Sequence, residues 1–189
     1  MQRDKRGIFS RLWTRLTSPS ARWSVLSLVV IGVVAGAGAV IATEVVVAKT
    51  GTNAFCGTAC HSMQWVYAET RQSVHYANPS GVQAQCGDCH IPHGYPEKLW
   101  YKAKAGVRDA IGEMRGVIST EEKFKQARLA MAERVWAEFK ANDSANCRAC
   151  HDFTPAALAT QSEKAQARHK GRTKTCIECH SGVAHVEPE

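Results

Sequence analysis

Every cysteine of this chain belongs to one of four closely spaced pairs, and a histidine directly follows the second cysteine of each pair. Three pairs read Cys-x-x-Cys-His, whereas the first, in the stretch FCGTACHSM at residues 55–63, has three residues between its cysteines. Two thiols one turn apart can add to the two vinyl groups along one edge of a porphyrin, and the adjacent histidine can then bind the iron. The sequence therefore predicts four covalently attached haem c groups. The attachment cysteines are Cys56, Cys60, Cys86, Cys89, Cys147, Cys150, Cys176 and Cys179, and the adjacent histidines are His61, His90, His151 and His180.

Paired cysteines have two other uses. In an oxidising compartment they form disulfides, but a disulfide does not require a histidine after each pair. Zinc also binds cysteine and histidine, and the stretch CGDCHIPH offers Cys86, Cys89, His90 and His93. Adjacent ligands such as Cys89 and His90 fit poorly around one tetrahedral ion, so haem attachment is the favoured interpretation.

Four haem irons have eight axial positions, and the four motif histidines would fill four of them. Four further histidines lie outside the motifs, which equals the number of positions left open. They are His75, His93, His169 and His185. Irons with two axial ligands favour electron transfer over small-molecule binding, so this count predicts an electron carrier. Each of the four has an alternative role as a surface or supporting residue. His93 follows His90 by only three residues, which is too close to reach the opposite face of the same haem easily.

The order of these residues repeats along the chain. Residues 56–93 contain a motif, a lone histidine, a second motif and a second lone histidine, and residues 147–185 repeat that order over nearly the same length. The repeat predicts two di-haem modules joined by a connector at residues 94–146. Modules that pack by pseudo-symmetry would let a lone histidine of one module bind a haem of the other.

The secondary-structure signals are helical. A helix is expected from about Pro96 to Met114, and a second begins at a capping box in which Glu122 follows Ser119 by three residues. The second helix ends near Asn142 and carries an apolar stripe of Phe124, Met131, Val135 and Phe139. Because no period-two pattern indicates strands, we expect a mainly α-helical fold with extensive loops. The haem groups form its core, and the chain does not fold without them.

An uncharged stretch of 21 residues, from Trp23 to Thr43, precedes the first motif. As a helix that rises about 1.5 Å per residue, it matches a hydrocarbon core roughly 30 Å thick. We expect a single-pass anchor in a bacterial inner membrane, with basic residues 1–22 in the cytoplasm and residues 44–189 as a periplasmic haem domain. A cleaved signal peptide is the alternative, although its apolar region is usually shorter. Gly32, Gly36 and Gly38 would allow close helix contact in a homo-oligomer.

The formal net charge of +7 is concentrated before the anchor. Residues 1–22 hold six of the 24 Lys/Arg and one of the 17 Asp/Glu, which leaves 18 basic and 16 acidic residues in the rest of the chain. The haem propionates would offset this remaining excess of positive charge. We therefore expect no nucleic-acid partner.

Several longer stretches resemble the NapC/NirT family of membrane-anchored tetrahaem cytochromes, including its shorter NrfH-like members. Besides FCGTACHSM, they are SVHYANPSGVQAQCGDCHIPHG, FKANDSANCRACH and TCIECHSGVAH, and with the anchor they span nearly the whole chain. Family members oxidise membrane quinol and pass electrons to a periplasmic reductase or a soluble cytochrome. The resemblance therefore implies a subunit with quinol dehydrogenase activity, not a terminal reductase, and it does not identify the terminal acceptor.

The resemblance also implies an iron ligand at the first site. In this family the first haem has a Cys-His-x-Met arrangement, which makes Met63 the ligand and His61 the alternative. Most relatives have two residues between the cysteines where this chain has three, between Cys56 and Cys60. The additional residue leaves the choice between Met63 and His61 open.

A lysine and an acidic residue lie near the first haem and the quinol pocket in the family, and they correspond here to Lys102 and Asp109. A carboxylate beside a quinol hydroxyl can accept the proton that oxidation releases. In another register, Lys104 and Glu113 would take these roles, and a solvated helix face is the further interpretation. The resemblance also supports three of the lone histidines as distal iron ligands, namely His75, His169 and His185.

Two other functions stay open on the sequence. A multihaem reductase that acts directly on a small oxyanion requires an iron with an open axial position. A passive electron wire requires no quinol site.

Overall fold

The computed structural model describes residues 7–10, 13, 23–152, 154–171 and 173–188. The regular structure within those ranges is helical without a β-strand, which confirms the mainly α-helical fold with extensive loops. The α-helices are α1 (Val25–Lys49), α2 (Asn53–Thr58), α3 (Gln64–Thr70), α4 (Cys86–His90), α5 (Glu97–Met114), α6 (Glu121–Ala141), α7 (Ala145–Arg148), α8 (Pro155–Ala159) and α9 (Glu163–Gly171). Single 3-10 turns span His61–Met63 and Cys176–Glu178.

Helix α1 contains the predicted membrane anchor. Its stretch Leu26–Lys49 is 24 residues long, contains an 18-residue segment with a mean hydropathy of 2.3, and is long and apolar enough to cross a membrane. The helix continues past the predicted end at Thr43, because apolar residues 45–48 follow Glu44 and extend the same helical run. The chain divides into two compact units, Met1–Val45 and Val46–Glu189, so the division falls within α1. Most of the basic segment 1–22 lies outside the described residues.

Helices α5 and α6 form the predicted connector. Helix α5 begins one residue after Pro96 and ends at Met114, as the sequence predicts. The start of α6 differs by one residue from the prediction, because its N-cap is Thr120 and not Ser119. The Ser119 hydroxyl instead donates to the carbonyl of Gly116 at 3.1 Å, which leaves the Thr120 side chain to accept from the backbone N–H of Lys123.

The apolar core that protein atoms alone provide is small. Among the described residues, the apolar side chains classed as buried are Phe124, Leu158 and Ile177. Phe124, from the predicted stripe on α6, stacks on Trp65 of α3 with ring centroids 5.3 Å apart. Met131, Val135 and Phe139 of the same stripe are half-buried. The predicted repeat of two di-haem modules stays a prediction.

Candidate haem-attachment sites

No two of the eight cysteines are joined by a disulfide, and each cysteine is at least partly accessible. None forms the disulfides that the sequence left as an alternative. Over the part of the chain that the structure describes, no group of three or more His, Cys, Asp or Glu residues could hold a metal ion together. The zinc alternative therefore lacks a ligand cluster, whereas haem attachment requires only two accessible thiols and one adjacent imidazole.

The three regular motifs fold as tight helical turns. In the second motif, Cys86 to His90 is the short helix α4. In the third and fourth motifs, the histidine N–H donates to the carbonyl of the first cysteine, His151 to Cys147 and His180 to Cys176, at 2.9 Å in each case. This turn places both thiols and the imidazole on one compact segment, as covalent haem attachment requires.

The first motif folds differently. Cys56 lies in the last turn of α2, which ends at Thr58, and Cys60 is extended with φ −114° and ψ 123°. A new 3-10 turn then begins at His61. The additional residue therefore divides the first motif between two short helices.

Three of the motif histidines each face a lone histidine. The ring centroids are 6.1 Å apart for His75 and His151, 6.2 Å for His90 and His185, and 6.1 Å for His169 and His180. Two of these pairs join residues of the first predicted module to residues of the second. Two imidazoles on one metal ion place their centroids roughly 6 Å apart, since each metal–nitrogen bond is about 2 Å long. The three pairs therefore fit the two faces of a haem iron.

Hydrogen bonds orient the three lone histidines consistently. The Nδ1 atom of His75 lies 3.2 Å from the carbonyl oxygen of Val183, and that of His169 lies 2.6 Å from Gln161 Oε1. The Nδ1 atom of His185 lies 3.4 Å from the hydroxyl oxygen of Thr70. An Nδ1–H that donates to such an acceptor leaves the Nε2 lone pair for a metal, which is the usual outer-shell arrangement of a ligating histidine.

Burial favours the neutral imidazole at the second motif. Burial, with a contribution from neighbouring His185, lowers the pKa of His90 to about 4. The pKa of His185 is also lowered, chiefly by burial. Because only a neutral imidazole binds a metal, both rings are in the protonation state that iron ligation requires.

His93 has a different environment from the other lone histidines. His93 lies after the end of α4, and its Nε2 atom is 2.9 Å from the carbonyl oxygen of Asp88 within that helix. This bond favours the alternative role of His93 as a residue that supports the second motif, and iron ligation by His93 stays a prediction.

Buried polar side chains tie successive motifs together. Asn53 of α2 accepts from the backbone N–H of Cys86 at 2.7 Å, and its amide donates to the carbonyl of Ala84 at 2.9 Å. Asn146 of α7 donates to the carbonyl of Cys89 at 2.7 Å, and the hydroxyl of Ser144 accepts from the N–H of Ile177 at 3.3 Å. These bonds join the first motif to the second, the second to the third and the third to the fourth. Because each polar group is satisfied, its burial costs little.

No local pattern in the sequence identifies these residues or the ion pair between Glu69 and Arg128. The Glu69 carboxylate accepts from the Arg128 guanidinium at 2.7 and 2.8 Å. The same pair binds both backbone groups of Val186: the Val186 N–H donates to Glu69 at 3.1 Å, and its carbonyl accepts from Arg128. The pair therefore fixes the C-terminal segment immediately after His185, which faces His90.

Substitution Arg128→Ala is expected to destabilise residues 46–189 by about 2–3 kcal/mol, because it leaves a half-buried carboxylate without its charged partner. The matched control is Lys125→Ala on the same helix. Lys125 pairs with Glu121 at 2.6 Å on the exposed face, where solvent screens the pair and its contribution to the free energy of unfolding is small. Denaturant unfolding of the haem-loaded protein measures both effects, and equal destabilisation by the two substitutions would contradict this role of Arg128.

Helix α5 presents three charged residues to the first motif. Lys102, Asp109 and Glu113 are spaced seven and four residues apart and so share one helix face. The pKa of Cys60 is raised by burial and by the negative charges of Glu113 and Asp109. A hydrogen bond with Cys86 is the main reason that the pKa of Cys56 is lowered to about 7, and the positive charge of Lys102 contributes. Lys102 and Asp109 therefore lie within electrostatic range of the first attachment site.

The partners of these side chains differ. Lys102 Nζ donates to the carbonyl of Val47, in the last turn of α1, at 3.0 Å, and partial burial lowers its pKa. The Asp109 carboxylate accepts from the guanidinium of Arg108 at 2.8 Å and is largely exposed. Lys104, the alternative to Lys102, is exposed.

The two candidate ligands of the first iron lie on the 3-10 turn. Met63 is half-buried at its end, and His61 is exposed at its start. The ring of His61 lies edge-on to Trp65 with centroids 6.3 Å apart. The assignment of Met63 as the ligand, with His61 as the alternative, stays a prediction.

Four haem-attachment motifs, a helical fold and three facing pairs of histidines define a multihaem c-type cytochrome. A family model described as the N-terminal region of the NapC/NirT cytochrome c family matches residues 18–189. The chain therefore belongs to the NapC/NirT cytochrome c family, whose members are multihaem electron-transfer proteins with covalently bound haem c. This finding confirms the resemblance inferred from the motifs.

Individual relatives agree with the family match. The chain is 44% identical to the cytochrome c-type protein TorC of Escherichia coli strain K12 over 182 residues, which are 95% of this chain and 46% of TorC. It is 43% identical to a tetraheme cytochrome-c type protein of Allochromatium vinosum over 174 residues, which are 90% of this chain and 93% of that protein. The chain thus spans about half the length of TorC.

A solved structure has a related fold. It is the crystal structure of the cytochrome c nitrite reductase NrfHA complex bound to the HQNO inhibitor. The TM-score is 0.50 at 27% identity, and the alignment covers 84% of this chain and 90% of the matched chain.

Proposed function

We propose that this protein is a membrane-anchored tetrahaem cytochrome that oxidises membrane quinol and passes the electrons to a periplasmic acceptor. The observation that carries the proposal is the position of Lys102 and Asp109. Both lie on the face of α5 that meets the first attachment motif, and Lys102 is bonded to the last turn of the apolar helix α1. A quinol that leaves the bilayer at this end of α1 would therefore reach a carboxylate, an ammonium group and the first haem site together.

The proposed iron ligands follow from the facing histidines. We assign His90 with His185, His151 with His75 and His180 with His169 to three irons. Met63 is the proposed ligand at the first site, with His61 as the alternative, and His93 is left as a supporting residue. When bound, the haem groups supply one-electron redox chemistry, whose potential depends on the axial ligands and on burial.

The chain itself supplies proton acceptance and substrate orientation. Conversion of a quinol to a quinone releases two electrons and two protons. The exposed Asp109 carboxylate is placed to accept a proton from a quinol hydroxyl and to release it to water, as a general base. The Lys102 ammonium group, held by the Val47 carbonyl, is placed to orient the quinol oxygen and to stabilise negative charge as the proton leaves.

The proposed topology places residues 1–22 in the cytoplasm, residues 23–43 in the inner membrane and residues 44–189 in the periplasm. The proposed acceptor is a periplasmic reductase or a soluble cytochrome. The chain of bonds from the first motif to the fourth supports transfer in that order. A homo-oligomer that forms through Gly32, Gly36 and Gly38 of α1 stays a prediction.

Three facing histidine pairs weigh against a reductase that acts directly on an oxyanion. Such an enzyme needs an iron with a vacant position, and the pairing supplies two nitrogen ligands at three of the four sites.

The test uses isolated membranes that contain the full-length protein. Addition of a reduced quinol is expected to reduce the haems, seen as the shift of their visible absorption, and HQNO, which the NrfHA relative binds, is expected to slow that reduction. Membranes without the protein are the control. Haem spectra that stay oxidised with quinol, but change with a chemical reductant, would refute quinol oxidation.

A further inference from the structure

The motifs differ in what accepts the hydrogen bond of their histidine N–H. In the third and fourth motifs, the acceptor is the carbonyl of the first cysteine, four residues earlier, at 2.9 Å. In the first motif the additional residue places Cys56 five residues before His61, and the regular turn is lost. The N–H of His61 donates instead to Glu113 Oε1 at 2.9 Å, from helix α5.

The second oxygen of Glu113 is also engaged with this loop. Glu113 Oε2 accepts from the hydroxyl of Ser62, which is 8% exposed. Ser62 lies between His61 and Met63, the two candidate iron ligands. One carboxylate therefore binds the backbone of His61 and the side chain of Ser62, the residue between the two candidate ligands.

The 3-10 turn needs an external acceptor for its N-terminal N–H groups. Its N-cap is Cys60, whose side chain makes no capping hydrogen bond. The first N–H groups of a helical turn have no partner within that turn and are usually satisfied by a nearby side chain. Glu113, which lies 52 residues further along the chain, takes this role.

We propose that Glu113 is a positioning residue that replaces the missing cysteine carbonyl of the lengthened first motif and holds the iron-ligand loop His61–Met63 in place. The inference rests on the proposed haem attachment at this motif, and it holds for either Met63 or His61 as the ligand. The role of Glu113 as an alternative to Asp109 stays a prediction, since each carboxylate oxygen has a second lone pair.

The charge state of Glu113 agrees with this role. Hydrogen bonds, first from the Ser62 hydroxyl and then from the backbone of Ser62 and His61, lower the pKa of Glu113. Each of these hydrogen bonds stabilises the ionised form of the carboxylate. Hydrogen bonds to an ionised acceptor are shorter and stronger than those between neutral groups.

The decisive experiment varies the acceptor and the motif length together in the full-length protein. Glu113→Ala is made in the native chain and in a chain from which Thr58 is deleted, so that the first motif becomes Cys-x-x-Cys-His. Glu133→Ala, at an exposed position on α6, is the matched control in both chains. The measurements are the number of attached haems by mass and the spectrum and midpoint potential of the first haem after chemical reduction.

In the native chain, some molecules will have the native first-haem spectrum and others an altered one. Glu113→Ala is expected to lower the ratio of the first population to the second about tenfold, which corresponds to the loss of a charge-assisted hydrogen bond. Glu113→Gln retains one acceptor oxygen, so a smaller effect is expected. In the shortened chain, where the Cys56 carbonyl is again four residues from the histidine, Glu113→Ala is expected to have little effect. Glu113→Ala is expected to leave the spectra of the other three haems unchanged. The control Glu133→Ala is expected to leave the spectra of all four haems unchanged in both chains.

Equal effects of Glu113→Ala in the two chains would overturn the proposal, as would an unchanged first-haem spectrum in the native chain. Loss of the first haem in the native chain alone would support it, and loss in both chains would overturn it. These readouts use a chemical reductant and do not depend on quinol. They are therefore separate from failure of the proposed quinol oxidation.

Discussion

Replacement of all eight cysteines by serine is expected to leave residues 46–189 without a stable fold. The buried apolar side chains described for this chain are only Phe124, Leu158 and Ile177. A domain of this size must bury far more apolar surface to offset the conformational entropy of about 1–2 kcal/mol per ordered residue. Attached porphyrins are the proposed source of that surface.

The measurement is thermal unfolding by circular dichroism together with protease resistance, with the haem-loaded native protein as the reference. Substitution of Cys56 and Cys60 alone is the graded control, because it leaves the three sites with facing histidines. It is expected to produce partial loss of stability with three haems retained. A cooperative unfolding transition of the cysteine-free chain near that of the native protein would show that the protein core is sufficient.

Substitution Asp109→Asn is expected to lower the rate of quinol-driven haem reduction by about 10²–10⁴-fold, the usual contribution of a positioned general base. Lys102→Met is expected to lower the rate as well, because it removes the ammonium group beside the first motif. The rate of reduction by a chemical reductant stays unchanged in both variants. Stopped-flow spectroscopy of the full-length protein in membranes measures the two rates separately.

The control substitutions for this prediction are Glu133→Gln and Lys125→Met, which change the same charges at exposed positions on α6. Native rates in both controls with slow rates in Asp109→Asn would support the quinol site. Native rates in Asp109→Asn and Lys102→Met would favour the passive electron wire, since that function needs neither residue.

Local patterns in the sequence predict much of this molecule. The motifs are contiguous, so Cys147 and His151 can be recognised from spacing alone. The predicted range of helix α5, from about Pro96 to Met114, agrees to one residue with the observed Glu97–Met114, because helical periodicity is a local signal. The N-cap of α6 was predicted one residue early, because Ser119 and Thr120 are both good caps and only the bond from Ser119 to Gly116 selects between them.

The candidate site also contains residues that no local pattern identifies. Asn53, Asn146 and Ser144 act on partners more than 30 residues away, and polar residues of these types are common in any loop. The ion pair of Glu69 with Arg128 joins α3 to α6 and then to the C-terminal segment. Such contacts depend on the packing of separate elements, which spacing along the chain does not record.

The sequence by itself determined the class of protein, because covalent haem attachment is encoded in five or six consecutive residues and a membrane helix in one uninterrupted apolar run. Only the tertiary structure decided which lone histidine faces which motif and how the irregular first motif is held. His185 meets His90 across 95 positions of sequence, and Glu113 reaches His61 from another helix. The physical reason is that a hydrogen bond or a shared metal requires proximity of a few ångströms, which the folded chain alone creates.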